Sequence, residues 1–226
     1  MVLTHGWPDD VHCWDAVVGT LVEAGCRVYT PYLRGFGPTR FRRQETMRSG
    51  QIGALGRDLY DLLEGLDLHD VVLAGHDWGA RASYVASVLV PERVRGLVAL
   101  SVGYGSTSLD APISFEQARA YWYQWFFATP KGRRTLEHDR PALCRHLWRL
   151  WAPSWKFTSE AFDEAASAWG IVLHGSDDGA TLVTASEDKD QFFTAGYERR
   201  VLEGVGHFVP REAPSPAAKA ILRLAT

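Results

Sequence analysis

The chain has 226 residues, of which 46% are hydrophobic and 23% are charged, and its formal net charge is −3. This length and composition are typical of a globular protein that forms one large domain, or a core with a lid. The near balance of charge gives no general attraction to polyanions, so neither nucleic acid nor a membrane surface is expected as a partner.

The N-terminal residues and the cysteines bear on location and cofactors. Residues 1–6 lack a basic stretch followed by a hydrophobic run and so do not predict a signal peptide, and no apolar run reaches the roughly 20 residues that span a bilayer. The three cysteines are widely spaced and predict neither a disulfide framework nor a zinc site. The expectation is a cytoplasmic monomer or homodimer without a metal or an organic cofactor.

The first half of the chain alternates short apolar runs with amphipathic stretches. The predicted elements are a strand at 2–4 with the turn His5-Gly6-Trp7-Pro8, a helix at 14–24 closed by Gly25, a strand at 27–30, a helix at about 52–66, a strand at 71–74, a helix at 79–90 stopped by Pro91, and a strand at 94–101. Strands alternating with helices predict an α/β fold, with parallel βαβ units covered on both faces.

This alternation stops at about Gly103. Residues 104–169 have helical periodicity without a convincing strand and contain six of the nine tryptophans, which predicts a helical lid. Strands at 171–174 and near 199–202 and a closing helix from about Pro214 follow. The predicted organisation is therefore a core at 1–103, a lid or cap at 104–169 and the second part of the core at 170–226.

The motif Gly75-His76-Asp77-Trp78-Gly79 lies between the predicted strand at 71–74 and the helix after it. It has the G-x-nucleophile-x-G pattern of a nucleophile elbow, with aspartate where esterases carry serine. Side chains at the two glycine positions would collide with neighbouring backbone in such a sharp turn. The alternative is that Asp77 only caps the following helix.

Two further residues occur in the chain order nucleophile, acid, histidine that this elbow requires. His207 lies in a loop after the last predicted strand, where it could activate water as a general base. A carboxylate could hold its tautomer, and both Asp177 and Asp178 follow the strand at 171–174. Either aspartate could instead be an exposed turn residue.

The turn His5-Gly6-Trp7-Pro8, the elbow at 75–79 and the segments 32–37 and 123–127 resemble the corresponding parts of epoxide hydrolases of the α/β-hydrolase fold. The resemblance implies a mostly parallel sheet flanked by helices with a helical cap. It also implies that Asp77 attacks an epoxide while Tyr123 protonates the ring oxygen. His207, held by Asp178 rather than Asp177, would then hydrolyse the ester.

The same resemblance assigns the oxyanion hole to the backbone N–H groups of Trp7 and Trp78 and suggests a cis peptide between Trp7 and Pro8. The substrate is expected to be a small apolar epoxide or halogenated molecule. Its binding site is expected to be lined by the side chains of Trp7, Trp78, Trp122 and Phe126. Tyr123 stands in an aromatic run that helical packing alone would explain.

The sequence also departs from the family pattern. Met1 stands at the strand that is the third in the family, where a hairpin normally precedes it, so the strand at 27–30 is expected to be an uncovered sheet edge. The second lid tyrosine of the family has no counterpart between Tyr123 and the strand at 171–174. The N-terminal hairpin and part of the cap are therefore expected to be absent.

Two other functions remain open from the sequence, and a third is disfavoured. A haloalkane or haloacid dehalogenase would use the same aspartate, with the Trp78 indole N–H as a donor to the halide. A non-catalytic small-molecule-binding protein is a second alternative, because this fold also serves as a receptor. An ordinary esterase is disfavoured, because no serine or cysteine occupies the position of Asp77.

Overall fold

The structure is a computed structural model that describes residues 1–43, 45–47, 50–105, 112–159, 161–162 and 198–225. Its described part contains a parallel three-stranded sheet in the order β1-β2-β3, formed by β1 (Val2–Thr4), β2 (Val71–His76) and β3 (Val94–Leu100). In register, Leu3 lies opposite Ala74, which lies opposite Val98. The predicted parallel sheet is confirmed.

The described helices follow the predicted order closely. They are α1 (Asp15–Glu23), α2 (Ile52–Gly65), α3 (Trp78–Leu89), α4 (Phe115–Ala120), α5 (Trp122–Phe127), α6 (Pro130–His138), α7 (Arg140–Trp151), α8 (Val209–Glu212) and α9 (Pro214–Arg223). Short 3-10 helices at Val11–Trp14 and Pro91–Arg93 precede α1 and β3. No helix within the described ranges is long and apolar enough to cross a membrane.

Helices cover both faces of the sheet, as the alternation of strands and helices predicts. Successive side chains of a strand point to opposite faces. Leu3 and Val72 accordingly pack in one buried cluster with residues of α1 and α9. Val2 and Leu73 pack in another with residues of α2 and α3. The carboxyl ends of β1 and β2 therefore emerge together from a core that is packed on each side.

The lid helices α5 and α7 pack over those carboxyl ends through an aromatic cluster. Trp148 and Trp151 of α7 are fully buried with Trp7, Tyr123 and Phe208. The Trp148 indole N–H donates to the Pro8 carbonyl at 3.0 Å. The part of the predicted lid that the structure describes is helical at 115–138 and 140–151, and the assignment of 104–169 as a lid stays a prediction.

Two predicted strands differ from the structure. The strand at 27–30 is reduced to one bridge, in which Tyr29 donates to the Met1 carbonyl at 3.0 Å and accepts from the Leu3 N–H at 2.9 Å. The prediction of a strand at 199–202 is wrong, since these residues have no regular structure. Among the described residues, Val201 is 48% exposed and Leu202 half-buried, so this apolar run pairs with no described strand. The predicted strand at 171–174 lies outside the described residues.

Candidate active site

Asp77 lies at a sharp turn between β2 and α3. It is fully buried and has φ 54° and ψ −116°, a left-handed conformation that non-glycine residues rarely adopt. Its N–H donates to the Leu100 carbonyl at the end of β3, at 3.1 Å. Its side chain does not cap α3. The turn therefore presents the carboxyl group above the sheet, and the alternative that Asp77 is only a cap receives no support.

Three glycines allow the chain to pass close to Asp77. A Cβ atom at Gly6 would lie 2.5 Å from the Asp77 Cβ and Oδ1 atoms. A Cβ atom at Gly79 would lie 2.1 Å from the Thr4 carbonyl oxygen, and one at Gly75 would lie 2.4 Å from the Ala80 nitrogen. The expectation that side chains at both elbow glycines would collide with backbone is confirmed.

The two oxygens of the Asp77 carboxyl have different surroundings. Oδ1 accepts a hydrogen bond from the Trp7 N–H at 3.1 Å, and the peptide between Trp7 and Pro8 is cis, as expected. Oδ2 is buried and has no hydrogen-bond partner among the described residues. Only Oδ2 is therefore free to form a bond to a substrate.

Burial and charge act in opposite directions on Asp77. Burial raises the pKa of this carboxyl well above 3.8, whereas the Arg81 guanidinium and the N–H groups of Trp78 and Trp7 lower it. An ionised carboxyl is the nucleophilic form. The ionised fraction of Asp77 therefore depends on Arg81 and on the N–H groups of Trp7 and Trp78, which are also the predicted oxyanion hole.

The His207 loop is bound to the elbow and to the lid. The His207 carbonyl accepts hydrogen bonds from His76 Nε2 and Ser101 Oγ, each at 2.8 Å, and its N–H donates to the Trp151 carbonyl at 3.2 Å. The buried His207 ring lies 4.9 Å from the His76 ring and 5.6 Å from the Trp151 ring, between centroids. Asp177 and Asp178 lie outside the described residues, so the identity of the triad acid stays a prediction.

Tyr123 of α5 is held as a buried phenol. Only 1% of it is exposed, its ring lies 5.2 Å from that of Trp151, and its hydroxyl accepts from Gln124 Nε2 at 2.9 Å. Burial raises the pKa of Tyr123 well above 10, and the negative charge of Asp77 raises it further. Tyr123 therefore remains a proton donor at neutral pH within the field of Asp77.

The predicted substrate-lining residues have different positions. Trp7 is fully buried and Trp78 half-buried, on either side of Asp77. Trp122 and Phe126 are half-buried on α5, with ring centroids 5.8 Å apart. Phe127 and Trp151 also contact the Trp7 ring, at 6.2 and 6.1 Å. The lining role of all four predicted residues stays a prediction.

The oxyanion turn, residues 5–8 with the predicted oxyanion-hole N–H of Trp7, is supported from within by His5. Burial lowers the pKa of His5 to about 4, so the ring is neutral at pH 7. Its Nδ1 atom lies 3.0 Å from the Gly6 carbonyl, and its Nε2 atom accepts the Leu33 N–H at 3.1 Å. These bonds require the tautomer with the proton on Nδ1. A neutral His5 thus connects the turn to the segment after Tyr29.

Next to the turn, Asp10 is a buried carboxyl with an incomplete set of hydrogen bonds. Its Oδ1 atom accepts the His12 N–H at 3.0 Å, and its Oδ2 atom has no partner among the described residues. Burial and then the negative charge of Asp9 raise the pKa of Asp10 from 3.8 to about 6. Ionisation of Asp10 is therefore unfavourable in the folded state.

Replacement of Asp10 by asparagine is expected to stabilise the protein above pH 6 and to change little at pH 4. The folded-state pKa is above the unfolded one, so the wild type loses stability as the pH rises from about 4 through about 6, whereas asparagine does not ionise. We expect a gain of about 2 kcal/mol at pH 8. Urea unfolding at both pH values measures it, with the exposed Glu23→Gln as control. An equal gain at both pH values would contradict this account.

Possible metal ligands and thiols are the other groups of the described residues that could take part in chemistry. No group of three or more histidines, cysteines, aspartates or glutamates in them is arranged to hold a metal ion. Cys13, Cys26 and Cys144 are free thiols, and burial raises the pKa of Cys13 well above 9.

Comparisons with known proteins agree with this geometry. Residues 1–154 match the family model described as alpha/beta hydrolase fold. Epoxide hydrolase A of Mycobacterium tuberculosis is 22% identical over an alignment 291 positions long, which covers 100% of this chain and 90% of that protein. Epoxide hydrolase B of the same organism is 29% identical over 155 residues, which are 62% of this chain and 43% of that protein.

A solved structure shares the fold of this protein over nearly the whole chain. The crystal structure of a candidate epoxide hydrolase from Klebsiella pneumoniae superimposes with a TM-score of 0.89 and 30% sequence identity. The superposition covers 99% of this chain and 88% of that protein. The similarity therefore includes both the sheet and the region of the lid.

Proposed function

Because the chain belongs to the alpha/beta hydrolase fold family, we propose that it is an epoxide hydrolase that converts epoxides to vicinal diols through an ester on Asp77. The observation that carries the proposal is the buried Asp77 carboxyl, with Oδ1 held by the Trp7 N–H and Oδ2 unpartnered among the described residues. The substrate is a small molecule, and the aromatic surroundings favour an apolar epoxide.

The first half-reaction forms the ester. Asp77 Oδ2 attacks one epoxide carbon, the bond from that carbon to the ring oxygen breaks, and Tyr123 gives its phenolic proton to the oxygen. The products are a hydroxyalkyl ester of Asp77 and a tyrosinate. The Trp7 N–H, already bonded to Oδ1, directs Oδ2 towards the substrate.

The second half-reaction hydrolyses the ester. His207, with Asp178 as its predicted partner, takes a proton from water, and the hydroxide attacks the Asp77 carbonyl carbon. The negative charge that forms on Oδ1 is stabilised by the N–H groups of Trp7 and Trp78. Collapse releases the diol. Of the two protons of the water, one completes the diol and the other restores the Tyr123 phenol.

Replacement of Tyr123 by phenylalanine is expected to slow ester formation from epoxides by about 10²–10⁴-fold, because the departing alkoxide loses its proton donor. Ester hydrolysis should remain within about threefold of the wild type. Single-turnover kinetics with mass detection of the ester separate the two steps. Tyr121→Phe is the matched control, because Tyr121 lies two residues before Tyr123 with its ring centroid 6.5 Å away, and this variant should form ester at the wild-type rate. Unchanged ester formation in Tyr123→Phe would remove Tyr123 from the mechanism.

Dehalogenation is a second candidate, favoured by one specific observation. The indole N–H groups of Trp78 and Trp151 are buried and have no hydrogen-bond partner among the described residues. A departing halide would accept a hydrogen bond from the indole N–H of Trp78, which directly follows Asp77. This reaction uses the same Asp77 ester but needs no proton donor, so Tyr123→Phe should leave it unchanged.

The test of the proposed function is to trap the ester. His207→Gln should block its hydrolysis, so the variant is incubated with a panel of epoxides and haloalkanes and analysed by intact-mass spectrometry and peptide mapping. An adduct on Asp77 with the full mass of an epoxide supports epoxide opening, and one with only the alkyl group supports dehalogenation. The double variant Asp77→Asn/His207→Gln is the control. No adduct on the folded single variant would favour a binding protein.

A further inference from the structure

A buried ion pair joins the oxyanion turn to the helix that follows His207. Arg211 donates from Nε to Asp9 Oδ2 and from Nη2 to Asp9 Oδ1, each at 2.7 Å, between residues 202 positions apart in the sequence. The Asp9 side chain is fully buried and that of Arg211 is 10% exposed. Two parallel N–H···O bonds fix the relative orientation of the groups as well as their distance.

One end of this pair belongs to the segment that carries the Trp7 N–H. Asp9 is separated from Trp7 only by Pro8, and Asp9 Oδ1 also accepts the N–H of Asp10 at 2.9 Å. The Trp7 N–H in turn contacts Asp77 Oδ1 at 3.1 Å. A displacement of Asp9 therefore displaces the N–H that has to meet the oxyanion.

The other end belongs to the segment that carries His207. The neighbour of Arg211, Glu212, accepts the N–H groups of Gly206 and Phe208, each at 2.8 Å, on both sides of the histidine. Both Arg211 and Glu212 lie in α8, which begins two residues after His207. Arg211 and Glu212 thus connect α8 to the turn and to the histidine loop at once.

The Arg211 guanidinium of this pair remains a cation despite its burial. Burial lowers the pKa of Arg211, but the charge of Asp9 and its hydrogen bonds outweigh this effect and raise the pKa of the guanidinium above its ordinary value. Buried ion pairs often contribute little net stability compared with apolar residues of the same volume, and their best-attested use is to specify geometry. The location of this pair between two parts of the site agrees with such a use.

We propose that Asp9 and Arg211 are positioning residues that hold the Trp7 N–H and His207 in one arrangement and so support ester hydrolysis more than ester formation. The proposal rests on the proposed function. Formation uses Asp77 in the turn between β2 and α3 and Tyr123 in α5, and the Trp7 N–H only helps to orient a carboxyl group that this turn already positions. Hydrolysis needs His207 and the Trp7 N–H at the same tetrahedral centre, so a small relative displacement acts mainly on that step.

The test measures both half-reactions in Arg211→Met by rapid-quench mass spectrometry with the epoxide that gives the best adduct on His207→Gln. We expect ester decay to slow about 10–100-fold and ester formation to stay within about threefold, so that the ester accumulates during turnover. Arg211→Lys, which keeps the charge but not the two-point contact, should recover part of the decay rate. Should Arg211→Met not fold, the lysine variant and Asp9→Asn carry the test.

Two further variants give the proposal its controls. Asp9→Asn/Arg211→Met should be no slower in decay than the slower single variant, because both changes remove one interaction. Arg93→Met removes a similarly buried arginine, with 13% exposure and a 2.6 Å contact to Glu64, directly before the start of β3. Its ester should form and decay at wild-type rates.

The outcomes separate the proposal from its foundation. If Arg211→Met slows ester formation and ester decay equally, Arg211 is structural and the proposal is overturned. The same conclusion holds if Arg211→Met changes only the melting temperature and leaves both rates at the wild-type level. If His207→Gln forms an ester but Arg211→Met decays at the wild-type rate, the proposal also fails while the proposed function stands. If His207→Gln forms no ester with any substrate, the proposed function fails first.

Discussion

Replacement of Asp77 by asparagine is expected to lower kcat/KM by about 10⁴-fold or more, because a neutral amide does not displace an epoxide oxygen. Asparagine keeps the shape of the side chain and an oxygen that can accept the Trp7 N–H. The variant should therefore fold and bind substrate with unchanged affinity. It should also melt at a higher temperature at pH 8, because burial raises the pKa of Asp77 and its ionised form is unfavourable in the folded state.

The matched control is Asp70→Asn. Asp70 is another aspartate with a positive φ, 55°, directly before β2, and it pairs with Arg95 at the surface. Its replacement should leave turnover at the wild-type level. Retention of activity by Asp77→Asn, measured on freshly purified protein of verified mass, would contradict covalent catalysis at this position. Loss of ligand affinity together with activity would mean that the carboxylate binds the substrate rather than attacking it.

Replacement of Gly79 by alanine is expected to destabilise the protein by about 3 kcal/mol or more, a large fraction of the stability of an ordinary domain. The added Cβ would lie 2.1 Å from the Thr4 carbonyl oxygen and 2.4 Å from the Thr4 carbonyl carbon. Both atoms are backbone of β1, which β2 holds in register, so they cannot rotate away as a side chain would. Urea unfolding, with linear extrapolation to water, measures the loss.

Gly19→Ala is the matched control for this substitution. Gly19 lies in α1, and a Cβ atom there would meet nothing within 4 Å. Alanine should therefore stabilise the helix by about 0.5–1 kcal/mol through its higher helix propensity. If Gly79→Ala is as stable as the wild type, β1 and α3 can separate without loss, and the close packing at the elbow is not required by the fold.

The parts of the fold that local sequence specifies were predictable. The apolar run of β2, the helical periodicity of α2 and the glycines around Asp77 each reflect short-range constraints, namely a buried strand, an amphipathic helix and a turn without room for side chains. The strand at 199–202 was predicted wrongly because a strand also needs a partner, and a local run of Val201 and Leu202 carries no information about one.

The sequence indicates candidate reacting groups but not the residues that support them. Asp77, Tyr123 and His207 stand in motifs, and the structure finds all three buried. Asp9 and Arg211 pair across 202 positions, and neither has a local pattern that indicates the other. Trp151 likewise appears in sequence as one of many aromatic residues of a helix. Its carbonyl bond to the His207 N–H depends on how the lid packs on the core.

The attachment of α7 has a consequence for engineering substrate range by exchange of lid segments. The last turn of this helix bonds to Pro8 through Trp148 and to His207 through Trp151, and a Cβ at Gly206 would lie 2.7 Å from the Ala152 Cα atom. Libraries that graft foreign sequence over 140–152 would alter the catalytic loops along with the specificity. Crossovers placed between α6 and α7, which exchange only 115–138 and keep Tyr123, would vary the predicted lining residues of α5 and leave those loops in their native setting.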